Sequence, residues 1–257
     1  MDNLDSTYLV VLASPEVSAG ELQLLARLGA RYPVIAVDGG FAWCRQAGVP
    51  IAYAIGDFDS LGYVPREREA ACRLTEKPMC ARIDTADVRG EGAFSEDGAL
   101  LKDAPGDTFQ TKVFPCKKDQ TDFELALDLA QRLGAHEILV FAAFGGRPDH
   151  ALANEQVMAH AAESGVAVTA FGENFALDVL CGPSELRLEA QLAGTVSLLA
   201  MTPEVRGVCI EGLEYALHDG TLSARTSRGV SNEFRGAPAY ISVESGTLFI
   251  FHSLNSN

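Results

Sequence analysis

Two aspartates separated by one residue, Asp57 and Asp59, follow an apolar run of the sequence. On an extended backbone, alternate side chains lie on one face, so both carboxylates could bind the same hard cation. Magnesium is the natural cation for such oxygen ligands beside phosphate groups. Turns also use aspartate to cap backbone amides, so the pair alone does not distinguish a metal site from a turn.

Two further acidic segments could belong to the same site. Asp38 precedes Gly39 and Gly40, which would let the backbone approach a ligand closely, although a strand-to-helix turn uses the same residues. A second segment places two acids at a predicted helix start, where the helix dipole stabilises negative charge. Its residues are Asp119, Gln120, Thr121 and Asp122. Capping explains Thr121 and one acid, but it does not readily explain the whole segment.

A glycine-rich segment, 145–150, adds a cation to these acids. Arg147 carries a fork of N–H donors suited to phosphate oxygens, and Asp149 stands where another helix is predicted to begin. A solvent-exposed Arg147 without a ligand is the alternative. Functional residues concentrate in loops, so a phosphate contact is favoured.

The elements that must position these residues alternate strand-like and helical patterns, which is typical of a parallel α/β sheet. Capping boxes formed by Ser18 with Glu21 and by Thr121 with Glu124 predict two helix starts. Leucines four residues apart fall on one face of the second helix: Leu125, Leu129 and Leu133. The predicted strands cover 8–13, 34–37, 52–55 and 138–144.

Each acidic segment stands where a predicted strand ends or a predicted helix begins. In an open α/β sheet, ligands bind beyond the carboxyl ends of the strands. The sequence therefore predicts that segments distant along the chain meet at one edge of the sheet.

The pattern changes after about Phe175 to short alternating strands separated by Gly, Pro and Asp, which predicts an all-β sandwich or barrel-like domain. We expect an α/β catalytic domain over 1–175 and a β-domain over 176–257, with the boundary near 172–182. The poorly periodic stretch 77–110 is predicted to be an insertion.

Composition narrows the classes of function. The 257 residues carry a formal net charge of −15, which argues against nucleic acid and anionic membranes as partners. The six cysteines show no zinc-ligand spacing, and no basic apolar leader or membrane-length run is present, so we expect a cytoplasmic protein with reduced cysteines. No P-loop or dinucleotide-binding glycine motif occurs.

Taken together, these segments resemble the thiamine pyrophosphokinase family, in the same order and over both halves of the chain. The matching segments are VDGG at 37–40, IGDFDS at 55–60, DQTDFE at 119–124, GGRPDH at 145–150 and SRGVSNEF at 227–234. The resemblance implies a Rossmann-like N-terminal nucleotide-binding domain, a C-terminal β-sandwich that binds thiamine, and a homodimer with active sites at the subunit interface. The stretch between Arg73 and Phe114 is longer than the family pattern.

The resemblance also implies residue roles, which we carry over by motif. Metal ligands for Mg²⁺ would be Asp57, Asp59 and Asp119, with Asp122 and Arg147 joining them in catalysis. The ATP contacts would be Asp38, Gly39, Gly40, Gln120, Thr121, Arg147 and Asp149. The thiamine contacts would be Tyr215, Ser227, Ser231 and Asn232, although periodicity alone favours a core position for Tyr215.

The implied reaction transfers the diphosphate of ATP to the hydroxyl of thiamine and releases AMP. Its main demand is to hold the two substrates in line and to neutralise charge on the phosphate oxygens, which Mg²⁺ and Arg147 would do. One of the site aspartates would accept the hydroxyl proton. An acidic pocket also attracts the cationic thiazolium ring.

Two other functions remain open from the residues. A phosphatase or phosphotransferase of the haloacid-dehalogenase type also begins with two aspartates after a strand, but here the motif follows the third strand and precedes Ser60, Leu61 and Gly62. A ligand sensor would bind nucleotide or thiamine without turnover. The full set of candidate metal carboxylates argues against a sensor.

Overall fold

The computed structural model describes residues 6–58, 61–65, 88–90, 109–114 and 119–254. The predicted ligand Asp59 and most of the predicted insertion 77–110 lie outside these ranges. The chain forms two compact units, Met1–Ala151 and Leu152–Asn257. The predicted domain boundary near 172–182 stays a prediction. Within the described ranges, none of the helices has both the length and the apolar character needed to cross a membrane.

The first unit contains a mainly parallel sheet. Its strands are β1 (Thr7–Val11), β2 (Val34–Val37), β3 (Tyr53–Gly56), β4 (Val88–Gly90), β5 (Phe109–Val113) and β6 (Glu137–Phe141). Their order is β6-β1-β2-β3-β5-β4, and only the β4–β5 pair is antiparallel. All four residues of β2 are buried, as expected for an inner strand of a parallel sheet.

Four helices accompany the strands in the described residues: α1 (Ala19–Gly29), α2 (Gly40–Gln46), α3 (Asp122–Arg132) and α4 (Pro148–Glu163), the last continuing into the second unit. The predicted strand 34–37 is confirmed. The strand predicted over 138–144 ends earlier, because Ala142 adopts a left-handed conformation with φ of 61° that a strand cannot continue.

The two helix starts follow the predicted caps, with one difference. The Ser18 hydroxyl accepts from Glu21 N–H at 3.3 Å, and the Glu21 carboxylate accepts from Ser18 N–H at 2.8 Å, so the first capping box is complete. At α3, Thr121 Oγ1 accepts from Glu124 N–H at 3.2 Å. The Glu124 carboxylate instead accepts from the Gln120 amide at 3.0 Å, so this second box is half formed.

The leucine face predicted for α3 is buried only in part, since Leu129 is buried and Leu125 is half-buried. Leu133 lies beyond the last helical residue and is 36% exposed. A spacing of four residues advances about 40° beyond a full turn, so leucines in that series rotate away from the core. The buried positions of α3 are Phe123, Ala126, Leu127, Leu129 and Ala130.

The second unit contains two antiparallel sheets. One has the order β13-β10-β15-β8-β7, and the other has the order β12-β11-β14-β9. The strands are β7 (Ala167–Phe171), β8 (Phe175–Cys181), β9 (Ser184–Leu188), β10 (Thr195–Ala200), β11 (Glu204–Glu211), β12 (Leu217–Ser223), β13 (Asn232–Glu233), β14 (Ala239–Val243) and β15 (Thr247–Ser253). Both sheets contribute side chains to one apolar core, for example Leu198 and Ile250 from the first and Val208 and Ile241 from the second.

Candidate active site

Three carboxylates gather in the first unit. Asp38 follows β2, Asp57 follows β3, and Asp122 is the first residue of α3. One oxygen from each of the three lies within 4.8 Å of the others, and all three residues are half-buried. Since β2 and β3 are parallel neighbours, their carboxyl ends deliver Asp38 and Asp57 to the same sheet edge. Three of the four predicted segments therefore meet in the described part of the chain, and a place for the segment 145–150 at this site stays a prediction.

Hydrogen bonds at Asp38 join the ends of β2 and β3. Its backbone N–H donates to the Ile55 carbonyl at 3.0 Å, and its carboxylate Oδ1 accepts from the Phe58 N–H at 3.1 Å. Asp38 itself has φ of 46°, a left-handed conformation that aspartate tolerates better than most residues. The Asp38 carboxylate is thus fixed over the loop that carries Asp57.

Gly56 and Phe58 shape this loop from either side of Asp57. A Cβ on Gly56 would overlap the Asp38 carboxylate, so only glycine leaves room for the close approach. Phe58 is fully buried and has φ of 57°, so its ring anchors a strained turn. Neither residue was predicted to shape the site, although an apolar residue between two acids is a detectable signal of such an anchor.

Asp122 is placed by the start of α3. Thr121 caps the helix, which makes Asp122 its first residue, and the buried Phe123 ring anchors the first turn. The helix packs against β1, β2 and β3. The helix start therefore fixes where the Asp122 side chain leaves the backbone.

The donor set fits a hard divalent cation. Three carboxylates this close repel one another unless a positive charge lies between them. Magnesium prefers oxygen ligands and usually keeps several water molecules, so a few protein carboxylates suffice to hold it.

The other two polar residues that precede α3 in the predicted segment, Asp119 and Gln120, lie outside the three-carboxylate group. Asp119 is exposed and is not a member of the three-carboxylate group. The Gln120 amide donates to Glu124 at 3.0 Å and to Asp128 at 3.3 Å. The predicted metal role of Asp119 and the ATP contact of Gln120 stay predictions.

The two glycines after Asp38 have a structural role in the described fold. Gly39 occupies the N-cap of α2 and Gly40 is its first residue. A Cβ on Gly40 would overlap the Val11 carbonyl, so glycine lets α2 approach β1 closely. A nucleotide contact by either glycine remains a prediction.

Arg147 and Asp149 form an exposed ion pair. Arg147 Nη2 lies 2.6 Å from Asp149 Oδ2, and Arg147 Nε donates to Asp149 Oδ1 at 3.2 Å. The hydrogen bonds from Arg147 lower the pKa of Asp149, and the same contact raises the pKa of Arg147. A phosphate group would have to replace Asp149 on the guanidinium, which costs little at an exposed pair.

The four predicted thiamine contacts lie in the second unit and differ in exposure. Tyr215 is 67% exposed, which contradicts the core position that periodicity favoured. Ser227 and Ser231 are also exposed, and Ser231 N–H donates to Ser197 Oγ at 3.0 Å. Asn232 is buried, with 4% exposure.

Comparison with known sequences finds one family at two places in the chain. The sequence model for the thiamin pyrophosphokinase catalytic domain matches residues 102–170, and that for the thiamin pyrophosphokinase vitamin B1 binding domain matches residues 184–248. Together the matches cover more than half of the chain. The thiamine pyrophosphokinase of Bacillus subtilis (strain 168) is 24% identical over 220 residues, which are 85% of this chain and 86% of that protein.

Solved structures extend the likeness to the fold. A thiamin pyrophosphokinase from Geobacillus thermodenitrificans aligns with a TM-score of 0.69 and 25% identity, over 98% of this chain and 99% of that one. The Bacillus subtilis enzyme gives a TM-score of 0.68 at 22% identity, over 97% and 99%. A thiamin pyrophosphokinase from Candida albicans aligns with a TM-score of 0.62 and 16% identity, over 98% of this chain and 90% of that one.

Proposed function

The chain belongs to the thiamin pyrophosphokinase family, and we propose that the site formed by Asp38, Asp57 and Asp122 is where it transfers the diphosphate of ATP to thiamine. One observation carries the assignment: carboxylate oxygens from two strand ends and one helix start lie within 4.8 Å of one another. Such a group suits a divalent cation that bridges the protein to a triphosphate.

The reaction forms a bond between the thiamine hydroxyl oxygen and the β-phosphorus of ATP, breaks the bond between that phosphorus and the oxygen bridging it to the α-phosphorus, and releases AMP. When bound, Mg²⁺ supplies charge neutralisation on the phosphate oxygens. The three aspartates would hold the ion, and one of the site aspartates would accept the hydroxyl proton. Asp59 and Asp119 remain proposed contributors.

We assign the ATP side to residues around this group. Arg147 would exchange its contact with Asp149 for phosphate oxygens, since its guanidinium fork matches either partner. Thr121 would act indirectly, because its hydroxyl caps the helix that carries Asp122. The remaining proposed ATP contacts are Gly39, Gly40, Gln120 and Asp149.

We assign the thiamine side to the exposed polar and aromatic residues of the second unit. The exposed ring of Tyr215 could stack on an aromatic ring of thiamine or lie over its thiazolium cation. The hydroxyls of Ser227 and Ser231 are exposed and able to hydrogen bond.

The proposal also covers the fold of the first unit, the oligomeric state and the cellular location. The first unit would be Rossmann-like, since β3, β2, β1 and β6 are adjacent and parallel in that order. The protein would act as a homodimer with active sites at the subunit interface. It would be cytoplasmic, in keeping with the free thiols of Cys44, Cys181 and Cys209 among the described residues.

The assignment is tested by AMP release from ATP with thiamine across a magnesium titration. Replacing Asp57, Asp122 or Asp38 by asparagine should lower turnover by about a hundredfold or more and raise the magnesium needed for half-activity, because each change removes a charge that holds the ion. Circular dichroism and thermal unfolding would establish that each variant is folded.

Asp219→Asn is the matched control. Asp219 is exposed and has φ of 47°, close to the 46° of Asp38, and asparagine tolerates this conformation as aspartate does. This variant should keep wild-type activity and magnesium dependence. Full activity in the Asp57, Asp122 and Asp38 variants would refute the metal assignment.

A further inference from the structure

We infer that Asn232 is a positioning residue that fixes the main chain of Tyr215, and through it the exposed ring, rather than a residue that touches thiamine. The inference rests on the proposed function for its link to the substrate. The link between the two residues rests only on the geometry of the second unit.

The side-chain amide of Asn232 bonds the peptide groups on both sides of Tyr215. Its Oδ1 accepts from Tyr215 N–H at 2.9 Å and from Glu233 N–H at 2.9 Å. Its Nδ2 donates to the Tyr215 carbonyl at 2.8 Å. Both the N–H and the C=O of Tyr215 are therefore held by one side chain.

The register explains why a side chain makes this contact. A bridge between Leu213 and Phe234 places Tyr215 opposite Asn232 in an antiparallel arrangement. The main chain of Asn232 pairs with Val196 of β10, on the other side of β13. The Asn232 amide therefore substitutes for a backbone peptide group and extends the pairing as far as Tyr215.

The burial of Asn232 and its existing hydrogen bonds argue against a direct contact with the substrate. The residue is 4% exposed, its oxygen already accepts two hydrogen bonds, and its amide already donates one. Tyr215, in contrast, is 67% exposed although its backbone is fixed. An aromatic ring on a pre-ordered backbone binds a flat ligand without the entropy cost of ordering a loop.

The first test measures amide hydrogen exchange in the full-length protein. Asn232→Ala should accelerate exchange of the Tyr215 N–H by about tenfold or more, because the donor loses its buried acceptor. Asn232→Asp keeps an acceptor but loses the donor to the Tyr215 carbonyl, so exchange should be intermediate. Wild-type exchange at Tyr215 in both variants would overturn the inference.

The second test follows steady-state kinetics with ATP and thiamine. Asn232→Ala should raise the KM for thiamine about tenfold, while kcat and the KM for ATP stay within about twofold, as expected when only substrate binding is weakened. Asn232→Asp should recover part of the loss. If Asn232→Ala does not fold, the test uses Asn232→Asp alone, which should raise the KM for thiamine by a smaller factor.

A double-mutant cycle separates positioning from contact. Once Tyr215→Ala has removed the ring, adding Asn232→Ala should change the KM for thiamine by less than about twofold, because a residue that acts through Tyr215 has nothing left to position. Additive losses in the double variant would show that Asn232 contacts thiamine directly, and would overturn the inference.

Gln191→Ala is the structural control, since Gln191 is also buried and its amide also bonds a backbone carbonyl, that of Ser253, at 2.9 Å. It should lower stability without changing the KM for thiamine. A wild-type protein that releases no AMP with thiamine would refute the proposed function instead, and hydrogen exchange at Tyr215 would still decide the positioning role.

Discussion

Two residues in left-handed conformations surround the proposed metal site. Asp38 has φ of 46° and Phe58 has φ of 57°, and the Phe58 N–H donates to the Asp38 carboxylate. Conformations of this kind cost about 1–2 kcal/mol per non-glycine residue, so they persist where surrounding contacts enforce them. Here burial of the Phe58 ring holds the turn in place. Gly56 has no side chain that would push the Asp38 carboxylate away.

Gly56→Ala tests this arrangement. The added methyl group would push the Asp38 carboxylate away from the Phe58 N–H, so we expect a loss of about 2 kcal/mol in the free energy of unfolding. We also expect about a hundredfold loss of turnover, the scale expected when catalytic groups move by an ångström. Urea unfolding and AMP release measure the two effects.

Gly48→Ala controls for backbone strain alone. Gly48 also has a positive φ, 67°, but nothing lies within 4 Å of an added Cβ. The substitution should cost about 1 kcal/mol of stability and leave turnover unchanged. Equal activity losses at both glycines would contradict the specific role of Gly56.

At the residue scale, the sequence predicted all three carboxylates that meet as site residues, but it assigned the metal to Asp57 together with Asp59 and Asp119. Asp38 and Asp57 could be found because each follows an apolar strand. Asp122 belongs to this group as the first residue of α3, immediately after the cap at Thr121, whereas Asp119 precedes that cap and is exposed. The contact between Asp38 and Phe58 has no counterpart in local pattern, because the two residues are distant in sequence.

Among the elements, α3 links helix stability to the site. Thr121 caps the helix and Asp122 follows immediately, so a frayed first turn would displace a proposed magnesium ligand. The N-terminal cap of α1, in contrast, is made by Ser18 and Glu21, outside the three-carboxylate group. The two caps therefore allow a matched comparison.

Thr121→Ala and Ser18→Ala should each lower the free energy of unfolding by about 1 kcal/mol, because each removes an acceptor from a helix N-terminal N–H. Only Thr121→Ala should also raise, severalfold, the magnesium concentration needed for half-activity. Chemical denaturation and magnesium titrations of AMP release measure both effects. A shift of equal size in Ser18→Ala would mean that general destabilisation, and not Asp122, explains the change.

Local pattern predicted most elements of the described chain and missed those that depend on distant partners. Val34–Val37 forms a strand as the sequence predicted. β8 was not predicted, although it pairs with both β7 and β15. Its seven residues contain two pairs of adjacent buried positions instead of strict alternation, so the pattern of a strand is weak. The leucine face of α3 is only partly buried, because spacing alone does not say which side of the helix the sheet will cover.

For the whole molecule, we expect a homodimer with active sites at the subunit interface. Light scattering should give twice the chain mass of 27.4 kDa. The position of the sites is tested by mixing the Asp57→Asn and Tyr215→Ala variants after reversible dissociation. At thiamine concentrations below KM, the mixture should have about one quarter of wild-type activity. Half of the dimers then contain one chain of each variant, and each such dimer has one intact site out of two.

The same mixture distinguishes active sites shared between two chains from active sites formed within one chain. If one chain supplies both residues to each site, no activity returns on mixing. A monomeric mass would contradict the dimer directly, whatever the activity. Mixing either variant with itself is the control and should restore nothing.

The position of β1 has a consequence for synthesis on the ribosome. This strand pairs with β2 on one side and with β6 on the other, so Leu9 has both Val34 and Leu139 as neighbours. Until the segment Glu137–Phe141 has left the exit tunnel, one edge of β1 in a nascent chain lacks its native neighbour. A growing polypeptide with an open, apolar edge is prone to aggregate, so chaperone dependence during translation should end only after β6 emerges.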